Sequence, residues 1–267
     1  MHGAARDAIV RWRMFTDYDP FAWLYAKYWG EEFHEEAMPV LDRLILRDLP
    51  QRAAILDLCC GDGRIAATLS KRGYRVTGVD GSEHMLAIAR QRAPKCVFYL
   101  DDARRFKLDP EFDAAISTFD SLNHVMSAAG LKQVFRNVAA SLKPGGLFAF
   151  DLNREEAYID LWSRTQSTVN KTDVSVARGR YDPVSKIAVC DVTLLRLRGR
   201  HWERSDFSLR QKHHARHEIL KLLSATGFTA EVFDAAGDLG MQGDIGSGRD
   251  FYLARKPLAE PQAHARK

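Results

Sequence analysis

From residue 53 onward, short apolar runs alternate with stretches of helical period, and that alternation predicts most of the elements. Ala53–Cys59 reads as a buried strand, followed by a turn at Gly61-Asp62-Gly63 and a helix to about Arg72. Tyr74–Asp80 is predicted as a second strand. Ser82 then stands where a helix N-cap belongs, before a helix with Met85, Leu86 and Ala89 on one face. Lys95–Leu100 and Phe112–Thr118 read as the third and fourth strands. Leu131, Val134, Phe135, Val138 and Leu142 recur along one helical face, Lys143-Pro144-Gly145-Gly146 is read as the end of that helix, and Leu147–Leu152 as a fifth strand. Strands alternating with helices imply a doubly wound α/β fold, a parallel sheet with helices on both faces.

After Asn153 the period changes. A short helix, Glu155–Trp162, leads into alternating stretches at Thr168–Arg180, Lys186–Arg198 and His201–His213, separated by Tyr181-Asp182-Pro183 and Arg198-Gly199-Arg200. These predict an antiparallel meander. Helical spacing returns at His217–Ala225 with Gly227 as its cap, and strands Thr229–Asp234 and Asp250–Arg255 follow. The expected organisation is an N-terminal aromatic segment over 1–36, a main domain over 37–256 with 157–213 inserted into it, and a disordered tail over 257–267.

Composition narrows the class. With 267 residues, 46% hydrophobic and 28% charged, the chain has material for a sizeable core. No run approaches ~18 apolar residues, so no membrane span is expected, and Met1–Met14 carries arginines but no apolar stretch of a secretory signal. Four cysteines, two of them adjacent, make no disulfide framework; a reducing, cytoplasmic setting is the expectation. The net charge of +4 is unevenly spread: Arg164–Arg216 holds twelve Lys and Arg against five acidic residues, a balance of +7 that leaves −3 elsewhere. That basic segment reads as a solvated strand-rich surface, as a wall for an anionic acceptor, or as a contact for a second copy of the chain.

The richest stretch is Ile55-Leu56-Asp57-Leu58-Cys59-Cys60-Gly61-Asp62-Gly63-Arg64-Ile65-Ala66. Its glycines let a strand turn sharply into a helix and approach a ligand closely. Gly61-x-Gly63-x-x-Ala66, with Asp80 about twenty residues on, satisfies a dinucleotide fingerprint and by itself fits NAD as well as other adenosine ligands. Asp57 tips the balance, because a buried carboxylate repels a pyrophosphate and attracts an amine-bearing ligand. Asp101-Asp102-Ala103 follows the third strand, where a carboxylate can accept from an exocyclic adenine amine. Adenine, ribose, an amino-acid end and a positive centre together describe S-adenosylmethionine.

LDLCCGDGR (56–64), VTGVDGSEHML (76–86), LDDARRF (100–106), FDAAISTFDSLNHV (112–125) and LKPGGLFAFDLN (142–153) resemble, in order and spacing, the motifs of class I S-adenosylmethionine-dependent methyltransferases. The resemblance covers residues 40–153 strongly and 218–228 plus the last strand more loosely. It implies a Rossmann-like, mostly parallel seven-stranded sheet with an antiparallel last strand. It also implies that Asp57, Gly61 and Gly63 line the methionine end, Asp80 and the adjoining Gly81 the ribose, Ser82 and Met85 the adenine faces, and Asp102 with the Ala103 backbone the adenine edge. Thr118 or Phe119 would lie under the sulfonium. Cys59 departs from the pattern, since the family usually has glycine there.

Methyl transfer from a sulfonium to an acceptor needs alignment in a water-poor pocket, and a base only when the acceptor arrives protonated. His124, in Asp120-Ser121-Leu122-Asn123-His124 after the fourth strand, is the candidate base, its stretch being similar to that of sugar-amine N-methyltransferases. Tyr18, Tyr25 and Trp29 are candidates for a lid over the cofactor, and Trp162, Tyr181, Trp202 and nearby arginines for acceptor selection. The expected function is methyl transfer to a nitrogen or oxygen of a small molecule. The alternatives are an RNA or protein methyltransferase, which the missing N/D-P-P-Y-type motif disfavours for base nitrogens, and a non-catalytic S-adenosylmethionine-binding protein. No metal is expected: His213-His214-Ala215-Arg216-His217 has ligand spacing but no companion motif.

Overall fold

The computed structural model describes residues 18–259, so residues 1–17 of the expected N-terminal segment and 260–267 of the expected tail lie outside the described residues. Six of the seven strands of the main sheet come from the segments anticipated to be strands to within two residues at each end: β1 (Ala54–Leu58), β2 (Arg75–Asp80), β3 (Val97–Leu100), β4 (Phe112–Ser117), and, at the far end of the chain, β10 (Thr229–Asp234) and β11 (Arg249–Arg255). The seventh, β5, runs Leu142–Asn153 and so begins five residues early. Lys143–Gly146 does not end a helix but forms a bulge inside the strand, where the pairing with β4 jumps between Phe112 and Ala114.

The strand order is β10-β11-β5-β4-β1-β2-β3. All neighbours are parallel except β11, which runs antiparallel between β10 and β5. Both faces are covered, which is why the central strands read as continuous apolar runs. Ile55, Ala114, Ile116 and Ala149 pack against α2 (Gly30–Leu44) and α3 (Arg64–Lys71). Leu56, Leu58, Ala115, Phe148 and Phe150 pack against α5 (Ala128–Ser141) and α7 (Arg216–Ser224). Ser82 caps α4 (Glu83–Arg92), its Oγ accepting from Met85 N at 3.2 Å.

The expected meander is a second, separate sheet with four strands rather than three: β6 (Thr165–Val169), β7 (Asp173–Asp182), β8 (Ile187–Arg198) and β9 (His201–Lys212). The stretch read as one strand from Thr168 folds back at Asn170–Thr172, where Asn170 N donates to Asp173 O at 2.8 Å. Before it, Glu155–Trp162 is a helical turn, α6 (Glu155–Ala157), that widens into a π-helical turn, Tyr158–Trp162. The N-terminal aromatic segment is a single turn, α1 (Ala22–Leu24), and a second π-helical turn, Tyr25–Trp29, running into α2. It joins the second sheet rather than the first: Phe21 and Leu24 pack with Met85, Val192, Leu194 and Leu209. Lys27 Nζ (2.6 Å) and Tyr28 Oη donate to the buried carboxylate of Asp173, and the Arg196 guanidinium lies 3.8 Å over the Trp23 ring. Burial alone would raise the Asp173 carboxyl, but the hydrogen bonds from Lys27, Tyr28, Thr172 and Asn170 outweigh it and hold the group well below the carboxylate range.

The π-helical turn at Tyr158–Trp162 needs Gly179 on β7. A Cβ there would fall 1.4 Å from the Trp162 carbonyl oxygen, a backbone atom that cannot step aside. Gly179→Ala is expected to cost about 3 kcal/mol or more by overpacking. Gly199→Ala, at φ +63° with nothing nearby, should cost only the left-handed backbone penalty of about 1–2 kcal/mol. Urea unfolding of both variants checks the difference.

Candidate active site

A cavity of about 450 Å³ opens at the C-terminal ends of β1, β2 and β4, where open α/β sheets bind ligands. Its floor is the turn after β1. Cys59, Gly61 and Gly63 all have positive φ (58°, 52° and 75°), so the glycine that resembling proteins carry at position 59 answers a backbone demand that Cys59 meets under strain. Gly61 lies on the wall beside Tyr25. Gly63 does not: it packs against Ala89 of α4, where a Cβ would come within 2.8 Å, and so sets the approach of α3 to α4.

Asp57 ends up 2% exposed, and its Oδ2 has no hydrogen-bond partner. Burial, with Asp80 and Asp62 close by, pushes its carboxyl up to about 8. Asp80 accepts from Gly61 N at 2.9 Å and Ser82 N at 2.8 Å; burial lifts it to about 6 against those bonds. Gly81 and Met85 continue this wall. Ser82 is removed from it, contrary to the expectation that it would face the ligand. Its hydroxyl is spent on the α4 cap and on Asp19, to which it donates at 2.6 Å. Asp102 and Ala103 stand on the wall, with Arg104 bound to both Asp102 oxygens. Burial would raise the Asp102 carboxyl, but Arg104 outweighs it and the net shift is downward.

At the end of β4 the chain passes through two consecutive left-handed residues, Phe119 (φ 60°) and Asp120 (φ 45°). Thr118 and Phe119 reach the cavity, and Phe119 stacks on Phe33 at 4.3 Å. Such conformations persist only where the surroundings hold them. Here Asp120 is gripped from three sides: its N donates to Asp151 Oδ2 at 2.8 Å, Arg249 Nη2 donates to Oδ1 at 2.9 Å, and Gln211 Nε2 to Oδ2 at 2.5 Å. Arg249, 5% exposed at its side chain, also donates to Asp151.

The 3-10 turn Ser121–His124 follows and delivers His124, nearly buried, to the cavity. Its Nδ1 lies 2.7 Å from the Arg210 carbonyl, which can only accept, so Nδ1 carries the proton. Nε2 is then the bare nitrogen. It receives from the Tyr18 hydroxyl and from Gln211 Nε2 at 3.0 Å. Burial holds the imidazole below its ordinary value, opposed by Asp120 and by the bond to Arg210. Tyr18, expected among the cofactor contacts, is therefore engaged with the candidate base; burial, then Asp120, raises its hydroxyl well above 10.

Tyr25 and Trp29 also face the cavity from the N-terminal side. From the second sheet come Ala177, Gly179, Cys190, Leu209 and Gln211, with Trp162 and Arg164 from the segment before it. Two expected selectors are elsewhere. Trp202 is 48% exposed near the β8–β9 turn, and Tyr181 stacks on Tyr158 with its hydroxyl on Glu155, off the cavity wall. Most arginines of the basic segment are also outside, paired on the solvent side as Arg180–Asp191 and Arg204–Asp206. The histidine cluster is used structurally: His214 donates from Nε2 to the Val125 carbonyl at 2.9 Å. No group of metal-binding side chains occurs among the described residues.

Gln211 and Arg249 were not anticipated. Gln211 had a signal, since it shares the inward face of β9 with Leu209 by period two. Arg249 had a weaker one: Asp151 interrupts the apolar run of β5, and a charge there requires a buried partner.

Residues 55–146 match the family model described as methyltransferase domain. Over 118 residues the chain is 36% identical to the dTDP-3-amino-3,6-dideoxy-alpha-D-glucopyranose N,N-dimethyltransferase of Streptomyces fradiae, covering 44% of this chain and 46% of that one. Two solved structures share the fold. An S-adenosylmethionine-dependent methyltransferase of Clostridium acetobutylicum superposes with TM-score 0.75 at 19% identity, over 90% of this chain and 99% of its own. An amino pentose methyltransferase from Micromonospora echinaspora, solved with S-adenosylmethionine bound, gives 0.70 at 22%, over 89% and 96%. The matched domain and the shared fold together support a class I, S-adenosylmethionine-dependent methyltransferase, similar in part to sugar-amine N-methyltransferases. No helix among the described residues is long and apolar enough to cross a membrane.

The raised Asp57 carboxyl has a measurable consequence. A carboxylate that binds its proton more tightly folded than unfolded costs stability as pH rises from the unfolded value, 3.8, through the folded one, about 8. Asp57→Asn removes that cost. The ligand-free variant should gain stability over the parent progressively between about pH 5 and about pH 8.5, with no gain near pH 4; thermal melts across that range check it.

Proposed function

We propose that this enzyme methylates an amine nitrogen of a small-molecule acceptor, with His124 as the base and an amino sugar as the acceptor class. S-Adenosylmethionine, when bound, supplies a methyl group on a sulfonium whose departure leaves a neutral thioether. The cavity suits that molecule by its donor set. Asp57, with an orphaned oxygen in the interior, receives the ammonium of the methionine end. Asp80 keeps lone pairs for the ribose hydroxyls beyond the two it gives to backbone amides. Asp102 and the Ala103 backbone lie at the adenine edge, with Gly81 and Met85 beside them; Thr118 and Phe119 lie toward the sulfonium. The N-terminal aromatic segment, within residues 1–36, serves as lid, and the 157–213 insertion as acceptor-side wall of the 37–256 domain.

The observation that carries the reading is the neutral imidazole with its bare Nε2 toward the cavity, hydrogen-bonded to Tyr18. An alkylammonium acceptor must lose a proton before its nitrogen can attack, and an imidazole matches that task far better than it matches an alcohol. Tyr18 and His124 take that proton in line, and the enclosing aromatics Phe21, Tyr25 and Trp29 keep water away. An anionic portion of the acceptor belongs at the cavity mouth on Arg164, whose one ion pair, to Asp244 at 3.3 Å, is exposed and can give way, whereas Arg249 and Arg64 are held by Asp120, Asp151 and Asp62, all nearly buried. A homodimer through the insertion would use the β6 edge, which is largely exposed; sedimentation velocity tests it.

Asp57→Asn and Asp80→Ala are each expected to weaken S-adenosylhomocysteine binding by about 1–3 kcal/mol through lost charge-assisted hydrogen bonds; calorimetry with unchanged affinity for both would remove the cofactor placement. A labelled-methyl screen over amino sugars, other amines and hydroxy compounds identifies the acceptor. With that acceptor, His124→Ala should lower kcat at least tenfold while the cofactor KM stays within about twofold. Full activity in the variant, or turnover confined to hydroxyl acceptors, overturns the reading.

A further inference from the structure

The second sheet does more than cover the cavity. Its last strand, β9, touches both nitrogens of His124: the Arg210 carbonyl at Nδ1 (2.7 Å) and the Gln211 carboxamide at Nε2 (3.0 Å). Gln211 is 1% exposed and every polar atom of its side chain is partnered. Its Oε1 receives from Tyr158 Oη at 2.9 Å and Asn153 Nδ2 at 3.4 Å, while Nε2 faces Asp120 Oδ2 at 2.5 Å. The orientation of the carboxamide is not arbitrary. A carboxylate only accepts, so the nitrogen end must face Asp120, and its second N–H then points at His124 Nε2. Asp120 is itself held by Arg249, and β9 is clipped to the core by Asn123, whose Nδ2 donates to Lys212 O at 2.9 Å and whose Oδ1 accepts from Asn153 N.

We propose that Gln211 is the positioning residue of the base: clamped between Asp120 and Tyr158, its carboxamide presents a donor to His124 Nε2 and, with the Arg210 carbonyl, fixes the imidazole in the Nδ1–H tautomer. The insertion thereby completes the site instead of merely bordering it. The inference rests on His124 being the base, as proposed above. Two donors, Gln211 N–H and Tyr18 O–H, converge on a nitrogen with one lone pair. Gln211 is anchored at both ends and stays. The cavity side of that nitrogen is therefore reached through Tyr18, whose oxygen meets an acceptor's N–H while its own proton passes to Nε2.

The charged and titratable groups facing His124 are Asp120 on its own turn, Tyr18 on the N-terminal segment, and Arg249 on β11 behind Asp120. β9 presents only uncharged groups to it, the Arg210 carbonyl and Gln211. Replacing Gln211 by leucine therefore removes one neutral donor and leaves these charges in place, whereas glutamate adds a carboxylate beside Asp120 and His124.

The test reads the imidazole directly and needs no acceptor. In protein labelled with 15N-histidine, the His124 signals are assigned by their loss in His124→Ala among the nine histidines. The parent should show a protonated Nδ1 and a bare Nε2 at neutral pH. Gln211→Glu keeps the shape but turns an oxygen toward both Nε2 and Asp120 Oδ2, three acceptors that can converge only by taking up a proton. It should protonate that nitrogen at pH 7, with proton affinity raised tenfold or more. Gln211→Leu, which removes the donor and adds no acceptor, should let the two tautomers mix. If Gln211→Leu fails to fold, Gln211→Glu still decides. Tautomer and titration unchanged from the parent in the folded variant overturn the proposal. That result is separable from failure of the base reading, which would leave these spectra as expected but His124→Ala fully active.

Discussion

A guanidinium in the interior governs the layout of this molecule. Arg249 sits at the start of β11 with its side chain almost sealed from water, held between Asp120 and Asp151. Burial lowers an arginine's hold on its proton, but the two carboxylates more than offset it, and the charge stays. A buried charge with one partner removed is among the costlier defects a protein can carry, so the ends of β4, β5 and β11 are locked in register where the cavity opens. The same grip forces the left-handed turn at Phe119–Asp120, and that turn sets the direction in which His124 leaves the sheet.

Two bodies share the site unequally. The seven-stranded sheet provides carboxylates and the glycine turn; the four-stranded sheet and the N-terminal aromatics provide the roof. The roof is built as one unit. Asp173 binds Lys27 and Tyr28 together, Arg196 covers Trp23, and the apolar contacts of Phe21 and Leu24 run to Val192, Leu194 and Leu209. This roof rests on the seven-stranded half at Met85 of α4 and, through β9, at Asp120, Asn123 and His124.

Much of this was legible in the chain. Continuous apolar runs of five or six residues, punctuated by glycine or by a capping serine, mark strands buried on both faces, and their places along the chain were legible. Asp57 and Asp80 stood out because a carboxylate inside or at the end of such a strand demands a reason. The meander was also visible from its period of two, although the turn at Asn170–Thr172 was missed because its residues do not interrupt the alternation. Ser82 and Gly63, expected to meet the ligand, stand off the cavity wall for a common reason. Sequence spacing puts a residue near a site but does not say whether its hydroxyl or its missing side chain is already used by a neighbouring helix.

What the sequence determined by itself is local: periodicity, turn chemistry and the carboxylates at strand ends follow from each residue's own backbone and burial preferences. Partnership is what tertiary structure decided. That Gln211 reaches His124 across 87 residues, that Arg249 answers Asp120 and Asp151, and that Tyr18 meets the imidazole depend on which strand ends converge. A polar side chain announces only that it must be satisfied; the group that satisfies it is chosen by the packing of the two sheets.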